Sequence, residues 1–207
     1  LGGIRLIDYA INNWEKLYKA LMEHLELVVI TLIISLLIAS IFTITTMYSR
    51  VLSKVLIYVF SIIYSIPSLA LFAILIPVTG LGKVTAITVL VAYNQYLLLR
   101  NFIEGLNGVE PAIIEAAVGM GMTNMQILFK VRIPLSKKAL FTGVRLAVVS
   151  TIGIATIAAS INAGGLGSIL FDGLRTTNVY KIVWGSILAA GMAIGVNAVL
   201  TKIEKSI

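Results

Sequence analysis

Few residues in this chain have the types and spacing that covalent chemistry requires. There is no cysteine, which excludes a disulfide framework, a Cys-based metal site and a thiol nucleophile. The single histidine, His24, has no partner cluster and reads as an interfacial residue at the entrance of an apolar run. Asn162-Ala163-Gly164-Gly165-Leu166-Gly167 carries three glycines, enough for a tight, backbone-exposing turn. No Lys-Ser or Lys-Thr follows, so it is not a phosphate-binding loop, and no GxxxxGKS or GxxxxGKT occurs anywhere. What remains is recognition without bond-making. Asn94, Gln95, Ser150, Thr151, Thr156 and Ser160 are polar groups inside apolar runs, positions that are costly and attract functional readings. For the hydroxyls the simpler role is back-bonding to their own helix. Tyr64, Tyr93 and Tyr96 offer π-faces to an organic cation, or equally serve as interfacial anchors.

The elements that position these groups are long apolar segments. The 207 residues are 59% hydrophobic and 12% charged, a balance that a soluble domain cannot carry on its surface. A net charge of +7 suggests nucleic acid in a soluble protein. Here basic residues clustered on loops between apolar spans explain it better, and no nucleic-acid partner is expected. The pattern predicts an all-α polytopic membrane protein with five spans over 25–48, 55–81, 83–101, 138–162 and 181–201, as a single domain. Pro67 is expected to kink the second span and to free a carbonyl that neighbours or water must satisfy. Residues 1–24 carry Asp8, Glu15 and Glu23 and lack an apolar core, so they are not a cleavable signal peptide. Ile7, Ile11, Trp14, Tyr18, Leu21 and Leu25 recur at helical spacing and predict an amphipathic helix lying on the membrane.

Basic residues set the expected orientation. With 104–136 in the cytoplasm, Arg50, Lys54, Arg100, Lys130, Arg132, Lys137, Lys138, Lys202 and Lys205 lie inside. Outside lie Lys83, Arg175 and Lys181, together with an N-terminal helix whose Arg5, Lys16 and Lys19 are balanced by its acids. The positive-inside rule then places the N-terminus outside and the C-terminus in the cytoplasm. Gly143, Ala147, Thr151, Ala155 and Ala159 form a small-residue face, and Gly191 and Gly195 a GxxxG. Both suit close helix approach, within one subunit or across a boundary. Five helices are too few to enclose a solute pathway, which implies a second copy or a paralogue.

Between the third and fourth spans, Glu110 to Leu135 carries the densest local signals. Pro111 suits the first helical position, Gly119 and Gly121 interrupt the helix, and Thr123 with Gln126 fits a capping box. Met125, Leu128 and Phe129 give a second short helix an apolar stripe, which Pro134 is expected to end. The prediction is helix, glycine bend, helix.

Glu115-Ala116-Ala117, three residues, Gly121, nine residues, then Val131-Arg132-Ile133-Pro134 resembles the EAA loop of the permease subunits of binding-protein-dependent ABC importers. That resemblance implies a cytoplasmic coupling loop over 104–136 docked in a cleft of an ABC ATPase through Glu115, Ala116, Ala117 and Gly121. It also implies ATP and Mg on that partner and no cofactor here, an external solute-binding protein, a second permease, and residence in a bacterial or archaeal cell membrane. Gly119-Met120-Gly121-Met122-Thr123, Gly143-Val144-Arg145, Ile152 to Ala159, Ala163 to Gly167 and Ser65 to Leu71 resemble the osmoprotectant branch, which imports glycine betaine, choline and carnitine. In that light Tyr64, Tyr93, Asn94, Tyr96 and Thr156 are candidates for the substrate pathway, the tyrosines as faces for a trimethylammonium group. Two departures stand out. Asn162 occupies a position where glycine is expected, and Tyr93-Asn94-Gln95-Tyr96-Leu97 replaces a smaller, more apolar stretch. An amino acid or ergothioneine is the alternative solute. An ion-coupled secondary transporter is the rival mechanism, but 27–47, 55–81 and 84–99 hold no ionisable Asp, Glu, Lys, Arg or His to carry a coupling ion.

Overall fold

A computed structural model describes residues 2–47 and 49–206. The first residue of the expected surface helix and the last of the first expected span lie outside them. Every regular element among these residues is helical. Helix α1 (Gly2–Asn12) and α2 (Trp14–Thr46) are followed by α3 (Arg50–Ser65), α4 (Ser68–Thr79) and α5 (Lys83–Asn107). Helices α6 (Pro111–Gly119), α7 (Asn124–Ile127) and α8 (Ile133–Leu135) form the linking loop, and α9 (Lys137–Ile157), α10 (Leu166–Arg175) and α11 (Val179–Ser206) complete the chain.

By length and apolarity, α2, the Lys137–Ile161 segment and α11 are each able to cross a membrane, and α3 with α4 makes a fourth crossing if counted as one broken span. Pro67 does more than kink this segment. Ile66 is extended (ψ 131°), and the helices on either side meet at 100°. Helix α5 is the central element. Ala86, Val89, Leu90, Leu98 and Leu99 on it are almost fully buried among α2, α4 and α9. The polar run at Asn94-Gln95 lowers its apolarity, and an interior position lets it carry those groups where a lipid-facing helix would not.

The small-residue face of α9 is used within the chain. Gly143, Ala147, Thr151 and Ala155 are buried, and a Cβ on Gly143 would lie 2.7 Å from the Asn101 Cβ of α5. Gly191 and Gly195 on α11 meet nothing within 4 Å, so that pair stays free.

Residues 14–24, expected on the membrane surface, continue as the first turns of α2, whose 33 residues span about 50 Å. Ile7, Ile11, Trp14 and Tyr18 are exposed, as a lipid-facing stripe requires. Helix α1 is tied to α11 by Trp184 Nε1 donating to Leu6 O at 2.9 Å and by Tyr9 stacked on Tyr180. The largest correction concerns His24. It is completely buried, not interfacial, because α2 runs past this point beneath the turn at 164–165.

Candidate functional site

The linking loop is tied down at its base and open at its tip. Helix α6 starts with Pro111 at its first position and ends in a Schellman turn: Gly121 N–H donates to Val118 O (2.9 Å) and Met122 N–H to Ala117 O (3.1 Å). Gly121 sits at φ +78° with nothing near its missing Cβ, so the glycine is demanded by backbone conformation rather than by crowding. Gly119 keeps helical angles and only ends α6. The expected capping box is present, with Gln126 N–H donating to Thr123 Oγ1 and Thr123 N–H to Gln126 Oε1. Pro134 does not end the second helix. Residues 128–132 widen into a π-turn in which Ile133 N–H reaches Leu128 O, which leaves room for the proline ring inside the continuing helix.

The base of the loop is fixed to the end of α5. Arg132 Nη1 donates to Leu106 O at 2.7 Å and Ser136 Oγ to Gly105 O at 2.7 Å. Gly105 lies so near α9 that a Cβ there would meet that of Ala139 at 2.6 Å. The tip is open. Ala117 is buried, but Glu115, Ala116 and Gly121 are exposed, beside Val118, Met120 (74% exposed) and Phe129 (56% exposed). Apolar side chains of this size, held on an ordered helix pair, form a surface suited to a partner.

Of the pathway candidates, the structure gathers the three tyrosines. Tyr64 on α3 stands edge-on to Tyr93 of α5, centroids 5.6 Å apart, and lies against Tyr96 at 5.0 Å. Tyr96 Oη accepts from Arg100 Nη1 at 2.9 Å. Asn94 turns the other way. Its Nδ2 donates to Ser35 Oγ (3.2 Å) and Thr151 Oγ1 (2.8 Å), and Thr151 in turn donates to Ala147 O (2.7 Å). With 1% exposure Asn94 ties α2, α5 and α9 together. Gln95 Nε2 reaches Ser35 O in the same way. Thr156 back-bonds to Ile152 O and Gly153 O and does not join the tyrosines. Among the described residues no cluster of His, Asp and Glu is placed to hold a metal.

Sequence reasoning missed Ser35, the α2 residue on which Asn94 and Gln95 converge, since a lone serine in an apolar run gives no signal. It also missed Glu23, whose Oε2 accepts the Gly165 N–H at 3.1 Å. At the far end from the linking loop, Glu26 pairs with Lys83 (2.8 Å) and Asp172 with Lys181 (2.7 Å) and Arg175 (3.0 Å). These two cations hold the Asp172 carboxyl below the ordinary carboxylate range.

A buried polar core thus joins helices fit to cross a bilayer, and the loop between α5 and α9 is tied at its base and open at its tip. The family model of the binding-protein-dependent transport system inner membrane component matches residues 31–205. The chain belongs to this family.

This permease is 34% identical over 199 residues to the carnitine transport permease protein OpuCB of Listeria monocytogenes, covering 96% of this chain and 91% of that protein. It is 33% identical to the choline transport system permease protein OpuBB of Bacillus subtilis, covering 95% and 90%. A shorter stretch, 132 residues or 64% of this chain, is 40% identical to the ergothioneine transport permease/ergothioneine binding protein EgtU of Helicobacter pylori, 24% of whose length it covers. The fold matches inward-facing structures of the MetNI methionine ABC transporter with a TM-score of 0.82 at 21% identity, over 92% of this chain and 95% of that one. The permease is therefore an all-α polytopic membrane protein of the ABC-importer permease fold. It is a transport subunit without an ATPase site of its own.

Proposed function

We propose that this permease is the membrane subunit of an ATP-driven importer of quaternary-amine osmoprotectants such as glycine betaine, choline and carnitine. The observation that carries the reading is nearly full-length similarity to permeases named for carnitine and for choline. Five spans follow if α3 with α4 is one broken crossing and α5 is another, with the N-terminus outside and the C-terminus in the cytoplasm. Two such permeases, identical or paralogous, enclose the pathway. Glu115, Ala116 and Gly121 present the tip of the loop to a cytoplasmic ABC ATPase, and the buried Ala117 packs beneath them. The clamps at Arg132 and Ser136 would pass its movement to α5 and α9, which alternates access. An external binding protein delivers the solute. Tyr64 and Tyr96 are the π-faces left for a passing trimethylammonium group, because Tyr93 is buried.

A second reading, ergothioneine import, is favoured by the 40% identity over 132 residues. Ergothioneine also carries a trimethylammonium group, so the tyrosine chemistry does not separate the two. Competition does. Uptake of labelled glycine betaine by the reconstituted complex is expected to be blocked by choline and carnitine. Block by ergothioneine alone would move the permease to the second reading. Block by methionine alone would remove both.

A further inference from the structure

His24 is the only histidine in the chain, and the proposed transport mechanism gives it no task. Its ring is completely buried. Nε2 lies 3.1 Å from Ile152 O of α9. A carbonyl only accepts, so Nε2 carries the proton and a neutral ring leaves Nδ1 as a bare lone pair. Among the described residues no donor reaches Nδ1. The turn before α10 closes directly over it: a Cβ on Gly165 would sit 2.9 Å from Nδ1 and 3.3 Å from the His24 Cα and Cβ. The neighbouring Glu23 holds the same turn through the Gly165 N–H, and a Cβ on Gly164 would meet Glu23 Oε2 at 2.8 Å. Asn162, left-handed at φ +64°, starts this turn. Two consecutive residues of α2 thus grip one glycine turn, while His24 also holds α9.

We propose that neutral His24 is a positioning residue, a proton-sensitive latch that seats the turn at 163–167, and with it α10, against α2 and α9. A second proton would put an N–H at Nδ1 with no acceptor. The charged groups near this end are Lys16, Lys19, Glu23 and Glu26 on α2, Lys83 on α5, Asp172 and Arg175 on α10 and Lys181 on α11. Helix α9 and the turn after it have none between Leu146 and Ile161. Every carboxylate among them is already engaged, Glu23 by Gly165 and Lys19, Glu26 by Lys83, and Asp172 by Lys181 and Arg175. Protonation therefore opens the latch rather than strengthening it. The inference rests on the reading that this end faces outside, where the solute arrives.

The test has two arms. The full chain in nanodiscs, purified without a histidine tag and labelled with 15N-histidine, gives the ring signals of one residue. In neutral medium these must show the Nε2–H form, and their change with pH marks the point at which the ring gains its second proton. In the second arm the complete transporter, in proteoliposomes with ATP and buffered medium inside, takes up glycine betaine while only the external pH varies. Wild-type uptake is expected to fall about tenfold within one pH unit below the point found by NMR. His24→Gln keeps a donor for Ile152 O but does not titrate, and its uptake is expected to change less than about twofold over that range. An Nδ1–H tautomer, a ring that titrates without loss of uptake, or the same acid profile in both proteins overturns the latch. If His24→Gln does not fold, agreement or disagreement between the two wild-type midpoints still decides. Absence of uptake at every pH is a failure of the transport reading, and the NMR arm alone then judges the latch.

Discussion

The Tyr93 hydroxyl donates to Ile66 O at 2.5 Å. Ile66 is the residue at which Pro67 breaks the helix, so its carbonyl has no helical partner. One side chain of α5 therefore satisfies the group that the bend between α3 and α4 releases, and its ring also supports Tyr64. Tyr93→Phe keeps the ring and removes the donor. The expected loss is about 1–3 kcal/mol, read as a lower midpoint of thermal unfolding in detergent. An unchanged midpoint would mean that water serves the carbonyl equally well.

Gly121→Val adds a β-branched side chain at φ +78°, a strain of about 1–2 kcal/mol, at a point with open space around it. The damage is expected in coupling rather than in folding. Membrane insertion stays normal, uptake falls more than about tenfold, and ATP hydrolysis no longer responds to solute. Normal uptake in this variant would count against the docking role of the loop.

Asn94→Ala is expected to destabilise by about 1–3 kcal/mol, because it strips partners from Ser35 and Thr151 at a buried junction. Since the side chain is 1% exposed, KM for glycine betaine should not change. A raised KM with unchanged stability would return Asn94 to the pathway.

What is legible in the sequence depends on how far along the chain an interaction reaches. The loop was readable because its signals are local: proline at a helix start, a capping box and a left-handed glycine each act within four residues. Pro134 misled because a π-turn, a cooperative widening of the backbone, leaves no mark in residue type. His24 and Asn94 misled for another reason. Their neighbours along the chain carry no signal, and their partners lie 128 and 57 residues away. The small-residue face of α9 was visible, but whether it met α5 or another subunit depended on packing that no periodicity encodes.

Asp172 predicts a pH dependence. Lys181 and Arg175 lower its folded-state pKa, so its contribution is fully present above the ordinary value of about 3.9 and is lost only as pH falls through the lowered one. Hydrogen exchange at the start of α11 should therefore be equally protected at neutral and mildly acidic pH. Asp172→Asn should reduce that protection across the whole range. Equal protection in the variant would show that the ion pairs add nothing there.

The central claim is that ATP on a partner, not an ion gradient, drives solute past these helices. The most direct test is glycine betaine uptake by vesicles carrying the complete transporter and its binding protein, with the ion gradient and ATP abolished separately. Uptake is predicted to persist under a protonophore while ATP is maintained, and to stop when ATP is depleted with the gradient intact. Uptake that collapses with the gradient and ignores ATP would contradict the account.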